Sequence, residues 1–372
     1  MTTTTQDWIG LANELGPAFA ERAAQHDQDD SFVHKNYEEL KARNVFGAAV
    51  PADLGGGDAS LQDLCDLLRT LAHYCGSTAL ALSMHTHLVA VPAWRYRNQG
   101  APVNALLERV AKEQPVLVST GGSDWLDGSG TAEKVDGGFR VSGRKIFCSG
   151  VPAGAMLMTT AVYDDPNDGR TVLHLPVALN DEGAKVLDTW HTLGMRATGS
   201  NDVTLEDVFV PEGAVAVRRP AGVWHPAMHT VAMIALPLIY SVYVGVAEAA
   251  RDLALRLAEK KRDDTGVQLL AGELDNELTG ARLALRDMIE NGSTSQPGPE
   301  ATNRATIGRT LAGRAAVRTV ERALELGSGA AFYRKAGLER LFRDVQGARF
   351  HPMQEMPQRQ YAGRMAFGLP ID

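Results

Sequence analysis

Apolar residues change their spacing twice along this chain, and the two changes restrict its architecture more than any single motif does. Up to about residue 114 they recur three and four apart, as in Trp8-Ile9-Leu11-Ala12-Leu15 and Leu61-Leu64-Leu67-Leu68-Leu71, the period of helices with one buried face. From Pro115 the texture shifts to short runs of Val, Thr and Phe broken by Gly, Asp and Asn. Residues 135–143 read as a strand, a tight hairpin turn and a second strand, and 155–162, 171–177 and 203–210 as further strands. After Pro211 the helical period returns in long segments near 228–260, 265–290 and 301–328, with 292–299, Gly-Ser-Thr-Ser-Gln-Pro-Gly-Pro, as the clearest loop. The expected fold is mainly α with a central β domain: an N-terminal α-helical domain (1–114), a middle β-barrel or sandwich (115–214) and a C-terminal four-helix bundle (215–372).

Composition narrows the partners. A formal net charge of −8 opposes generic nucleic-acid binding, which needs a basic surface to neutralise phosphates. Three cysteines, Cys65, Cys75 and Cys148, cannot pair fully and lack Cys-x-x-Cys spacing, so neither a disulfide scaffold nor a zinc site is indicated and a cytoplasmic location is expected. The N-terminus carries no basic stretch followed by an apolar run. Residues 230–247 carry no charged side chain and approach the length of a membrane span. The run contains Pro237, Tyr240, Ser241 and Tyr243 and passes directly into Glu248, Arg251 and Asp252, which fits a bundle helix buried on most sides rather than a span.

Chemistry concentrates in a few stretches. The segment from Asp188 to Pro211 contains Gly194-Met195-Arg196, then Thr198-Gly199-Ser200, then a strand ending in Val210-Pro211. Upstream lies Gly143-Arg144-Lys145-Ile146-Phe147-Cys148-Ser149-Gly150, and near the start Val50-Pro51 is followed by Gly55-Gly56-Gly57. Leu338-Glu339-Arg340-Leu341-Phe342-Arg343-Asp344 closes the series. In order and spacing these resemble the acyl-CoA dehydrogenase superfamily over nearly the whole chain, which implies a flavin-dependent oxidoreductase of that family's fold, with FAD (or, alternatively, FMN) against the β domain. A flavin ring is flat, apolar on its faces and polar along one edge, so it needs an aromatic or aliphatic wall and hydrogen-bonding groups. The resemblance makes Phe147 the wall. It makes Ser149, with Ser119 or Thr120 and with Gly122 and Ser123, the source of donors near the ring. Arg262 and Gly329 are the corresponding candidates for the remainder of the cofactor.

The resemblance also exposes departures. Oxidising a Cα–Cβ bond of an acyl thioester requires a carboxylate that takes the α-proton while hydride passes to flavin N5. The family's usual position for it lands on Pro352, and its other known position lands near Ala235. Glu355 is the nearest carboxylate. The stretch 260–266, Lys-Lys-Arg-Asp-Asp-Thr-Gly, lacks the family's pyrophosphate-binding pattern. The superfamily's flavin-dependent monooxygenase branch lacks the carboxylate, often uses FMN, and has a histidine where His351 stands; imidazole can give or take a proton near neutral pH. His85 and His87 are candidates to line the same cavity. Three readings follow: an acyl-CoA dehydrogenase-like enzyme, a reduced-flavin monooxygenase centred on His351, and a non-catalytic flavin- or acyl-binding scaffold. Expected partners are a small molecule, with an acyl-CoA among the candidates, an electron-transfer partner or flavin reductase, and further copies of the chain in a homotetramer or homodimer. Arg343 and Asp344 are expected to pair with each other at a helix end.

Overall fold

The computed structural model describes residues 6–120 and 126–371. Its first part is five helices, α1 (Trp8–Asp29), α2 (His34–Ala42), α3 (Leu61–Tyr74), α4 (Gly76–Gln99) and α5 (Asn104–Glu113). The starts of α1 and α3 follow from capping chemistry. Asp7 accepts from the Gly10 N–H to open α1, and Ser60 with Asp63 forms a reciprocal capping box that opens α3. Helix α4 is buried on nearly all sides from Gly76 to Thr86. Gly76 allows this, because a Cβ there would meet Val246 at 2.9 Å.

Eight strands form one sheet: β1 (Leu117–Ser119), β2 (Thr131–Val135), β3 (Gly138–Lys145), β4 (Met156–Asp165), β5 (Gly169–Ala178), β6 (Ala184–Val186), β7 (Val203–Pro211) and β8 (Val217–Pro220). The order is β6-β7-β3-β2-β4-β5-β8, with β1 alongside β4 in parallel. The expected hairpin is β2–β3, where Val135 pairs with Gly138 and Gly137 supplies the positive φ of the turn. The long antiparallel ladder is β4–β5, and alternate residues Leu157, Ala161, Leu173, Leu175 and Val177 face the core.

The last part is α6 (Pro226–Ala258), α7 (Thr265–Thr294), α8 (Pro299–Ala331), α9 (Leu338–Val345) and α10 (Glu355–Ala366). By length and composition α6 could cross a membrane, but 94% of its most apolar stretch is buried inside the fold. It is the central helix of the bundle, apolar all round because neighbours surround it. The loop expected over 292–299 is shorter than its composition suggests. Helix α7 continues through Gly292, Ser293 and Thr294, and Ser293 and Thr294 return their hydroxyls to the carbonyls of Ile289 and Glu290. Gly292 serves packing rather than turning, since a Cβ there would meet Leu61 at 2.4 Å and the Met233 carbonyl at 2.8 Å.

Candidate active site

The segment joining β6 to β7 is fastened to the bundle by one glycine, one carboxylate and one guanidinium. A Cβ on Gly194 would stand 2.2 Å from the Arg343 carbonyl oxygen, so only glycine lets this loop lie on α9. The next N–H, of Met195, donates to Asp344 Oδ1 at 2.5 Å. Burial pushes the Asp344 carboxyl up to about 6. The expected pairing of Arg343 with Asp344 is not formed. Arg343 instead reaches Asp27 with two nitrogens, at 2.9 and 2.6 Å, Glu339, and the Leu193 carbonyl of the loop at 3.0 Å, while Asp344 takes the Met195 N–H. Successive helical residues point about 100° apart, which sends the two side chains to different partners.

Two walls start from the Met195 carbonyl. Trp190 Nε1 donates to it at 3.0 Å, and the Trp190 ring stands edge-on to Phe147, with centroids 6.0 Å apart. Phe147 has φ 57° and is 56% exposed, so it does not pack the sheet core; its left-handed backbone turns the ring outward between partly exposed Ile146 and buried Cys148. On the other side Thr198 Oγ1 donates to the same carbonyl at 2.9 Å, Thr198 and Ser200 hydroxyls lie 2.7 Å apart, and Ser200 and Ser149 hydroxyls 2.8 Å apart. A carbonyl only accepts and each hydroxyl has one proton, so every proton in this chain points toward Met195. Ser149 thus presents lone pairs outward. The sequence led us to expect a donor there; hydrogen-bond direction makes it an acceptor. An outward aromatic ring beside a directed hydroxyl fits the apolar face and polar edge of a flavin.

His351 follows α9 on the bundle side. Its ring lies 5.5 Å from Tyr243, which in turn lies 5.7 Å from Tyr240. The backbone that carries His351 is moored by Arg309 of α8, a 2% exposed guanidinium that donates to the carbonyls of Ala348, Arg349 and His351 at 3.3, 3.4 and 2.7 Å. Desolvation, the Arg309 charge and His87 lower the partly exposed His351 to about 4, so it is neutral at pH 7. The Tyr243 hydroxyl is fully buried and has no hydrogen-bond partner among the described residues. A Cβ on Gly347 would come within 2.6 Å of it. Arg309 and Tyr243 carried no signal in the sequence, since a mid-helix arginine gives no sign of which way it turns.

Three models match consecutive parts of the chain: the acyl-CoA dehydrogenase N-terminal domain over residues 12–100, the middle domain over 119–208 and the C-terminal domain over 238–355. The chain belongs to the acyl-CoA dehydrogenase family. It is a flavin-dependent oxidoreductase. Among its relatives, an L-evernosamine nitrososynthase from Micromonospora is 27% identical over all of this chain and 92% of its own length. An indole-3-acetate monooxygenase from Pseudomonas putida is 26% identical over 93% of this chain and 90% of its own. A solved structure of KijD3 with FMN and dTDP-3-amino-2,3,6-trideoxy-4-keto-3-methyl-D-glucose superposes with a TM-score of 0.89 at 27% identity, covering 99% of this chain and 95% of that one.

Within this family fold the remaining candidates fall in different places. His85 is 1% exposed and accepts the Leu117 N–H at Nδ1, 3.0 Å, which leaves its proton on Nε2 to donate to the Phe46 carbonyl at 2.8 Å. One nitrogen ties α4 to β1 and the other ties it to the segment around Phe46, and desolvation lowers the ring to about 4. His87, two residues on, gives Nδ1–H to the Ser83 carbonyl at 3.3 Å, which leaves Nε2 as an acceptor. Farther along α4, Ala90 and Trp94 line a cavity of about 230 Å³ together with Leu61, Leu64 and Ile234, and the expected lining by His85, His87 and His351 is not found there. Glu355 is held by two nitrogens of Arg314 and by Arg359, which lower its carboxyl below the usual range. Ala235, at the family's other base position, is buried in α6. Ser119 ends β1 and Thr120 follows it, its hydroxyl 3.4 Å from Thr159. Arg262 is exposed and paired with Glu259, and Gly329 is exposed near the end of α8. Gly122 and Ser123 lie outside the described residues.

Proposed function

We propose that the chain is a reduced-flavin-dependent monooxygenase that receives FMN from a separate reductase and inserts oxygen into a small molecule. The observation that carries this reading is the state of Glu355. A dehydrogenase base must be free to take a proton, whereas Glu355 is locked between two arginines and held ionised well below neutral pH. In its place the bundle presents the neutral imidazole of His351, steadied by Arg309 and flanked by the Tyr243 hydroxyl. A relative named as a nitrososynthase and another named as a monooxygenase support the same reading.

Reduced FMN, when bound, supplies the electrons that activate oxygen. This chain's residues do the rest. Phe147 and Trp190 give the ring an apolar wall, and Ser149 accepts a hydrogen bond from its edge. His351, one nitrogen accepting and the other donating, manages a proton at the reacting group. FMN is favoured over FAD because Arg262, the candidate for the pyrophosphate, is engaged on the surface by Glu259. The outer face of α7 and α8, with Leu283, Ile307 and Leu311 exposed, would be covered in a homotetramer or homodimer. A cytoplasmic location accords with three free, buried cysteines.

The test is anaerobic mixing followed by oxygen. Protein loaded with reduced FMN should consume oxygen and yield an oxygenated product from a panel of amines, phenols and thioethers. It should show no flavin bleaching with acyl-CoAs when loaded with oxidised flavin. Bleaching by an acyl-CoA would return the assignment to a dehydrogenase. Failure to retain flavin in either state would leave the scaffold reading.

A further inference from the structure

Thr198, Ser200 and Ser149 are 0%, 3% and 8% exposed, so bulk water has little access with which to reverse their hydrogen bonds. The chain ends on the Met195 carbonyl, which has no proton to give, and its direction is therefore imposed from the inside outward. Met195 is itself held by the Asp344 carboxylate, so this end of the chain is anchored to the bundle as well as to the sheet. Outward, Ser149 can accept a hydrogen bond and cannot give one.

Oxidised and reduced flavin differ in this property. At N5 the oxidised ring carries a lone pair, and the reduced ring carries an N–H. Opposite an acceptor-only hydroxyl, the reduced ring forms a hydrogen bond, whereas the oxidised ring sets lone pair against lone pair and loses the water that formerly solvated it. We propose that Ser149 faces flavin N5 and that the Thr198–Ser200–Ser149 chain thereby makes this site selective for reduced flavin, with Thr198 and Ser200 as positioning residues that never touch the cofactor. This rests on the reading of Phe147 and Ser149 as the flavin wall. It adds a reason for the enzyme to take up reduced FMN and release it once oxidised, a preference set by hydroxyl direction rather than by charge.

The experiment is anaerobic equilibrium dialysis of the full-length protein against oxidised FMN and, separately, dithionite-reduced FMN, for the native chain and for Thr198→Val and Ser200→Ala. The native protein should hold reduced FMN about tenfold or more tighter. Thr198→Val frees Ser200 to donate to Ser149, and Ser149 to donate outward. Ser200→Ala frees Ser149 directly and leaves the Thr198 bond to Met195 intact, so the test survives if one variant folds poorly. Both should bring the two affinities toward equality, chiefly by tightening oxidised FMN, which a merely structural loss would not do. Equal native affinities, or variants that keep the native ratio, would overturn the proposal while leaving flavin binding in place. Absence of binding in both states would overturn the flavin wall itself, and this inference with it.

Discussion

On the β side of the candidate site the proposed flavin wall stands at the surface: Phe147 is more than half exposed, and its positive φ holds it away from the sheet core. On the bundle side they are sunk. Arg309 and Tyr243 are almost fully buried, and His351 sits in surroundings dry enough to lower its pKa to about 4. The first wall can change without disturbing what holds the fold together, because few native contacts depend on it. The second cannot, because the groups that aim His351 also fill the core. Under the proposed function, binding and chemistry are thus divided between a replaceable face and an interior one.

The contrast breaks most easily at His351. His351→Ala should lower oxygenation with reduced FMN by about a hundredfold to a thousandfold, the usual weight of an acid–base residue, while FMN affinity changes little. A loss of flavin binding equal to the loss of turnover would erase the division between the walls. Arg309→Met leaves three carbonyls without their donor and should cost about 3 kcal/mol in urea denaturation. An unchanged midpoint would show that the loop around His351 does not need its mooring.

Acid offers a second route to the interior. His85 has a folded pKa below its unfolded value, so its contribution is fully present above about 6.5 and lost as pH falls through about 4, a loss of about 3 kcal/mol. Asp344 has the opposite sign: its raised carboxyl favours folding below about 3.8, and that advantage disappears as pH rises through about 6. Urea midpoints at pH 7 and pH 4.5 should differ in favour of pH 7, and by more in Asp344→Asn than in the native chain. Smaller effects belong to the exposed wall. Phe147→Ala should weaken FMN binding about tenfold, read by fluorescence titration, with stability changed by less than about 0.5 kcal/mol. Glu355→Gln should leave turnover within about twofold and cost at most about 1 kcal/mol, since its ion pairs are largely solvated; a large fall in turnover would restore it as a base.

The sheet, the long helices and the Phe147–Ser149 segment could be read from periodicity and motif, because each is a local pattern of consecutive residues. What could not be read was direction. His85 and His87 look equivalent in Ser83-Met84-His85-Thr86-His87, yet two helical steps turn them about 200° apart, and only His87 keeps a nitrogen free of backbone partners. Glu355 was the nearest carboxylate in sequence, and nothing local revealed Arg314, which reaches it from another helix. The loop composition of 292–299 misled for a related reason. Gly292 answers to Leu61 and Met233, which are remote in the chain.

The bond from the Met195 N–H to Asp344 joins positions 149 residues apart. During synthesis at about 5–20 residues per second, the loop that orders Trp190, Thr198 and Ser200 is made roughly 7 to 30 s before its carboxylate partner exists. The β domain therefore leaves the ribosome with its strands available but its flavin face unfinished. A nascent chain halted before α9 should hold the sheet and bind FMN poorly, and the cofactor is then the last thing the protein can acquire.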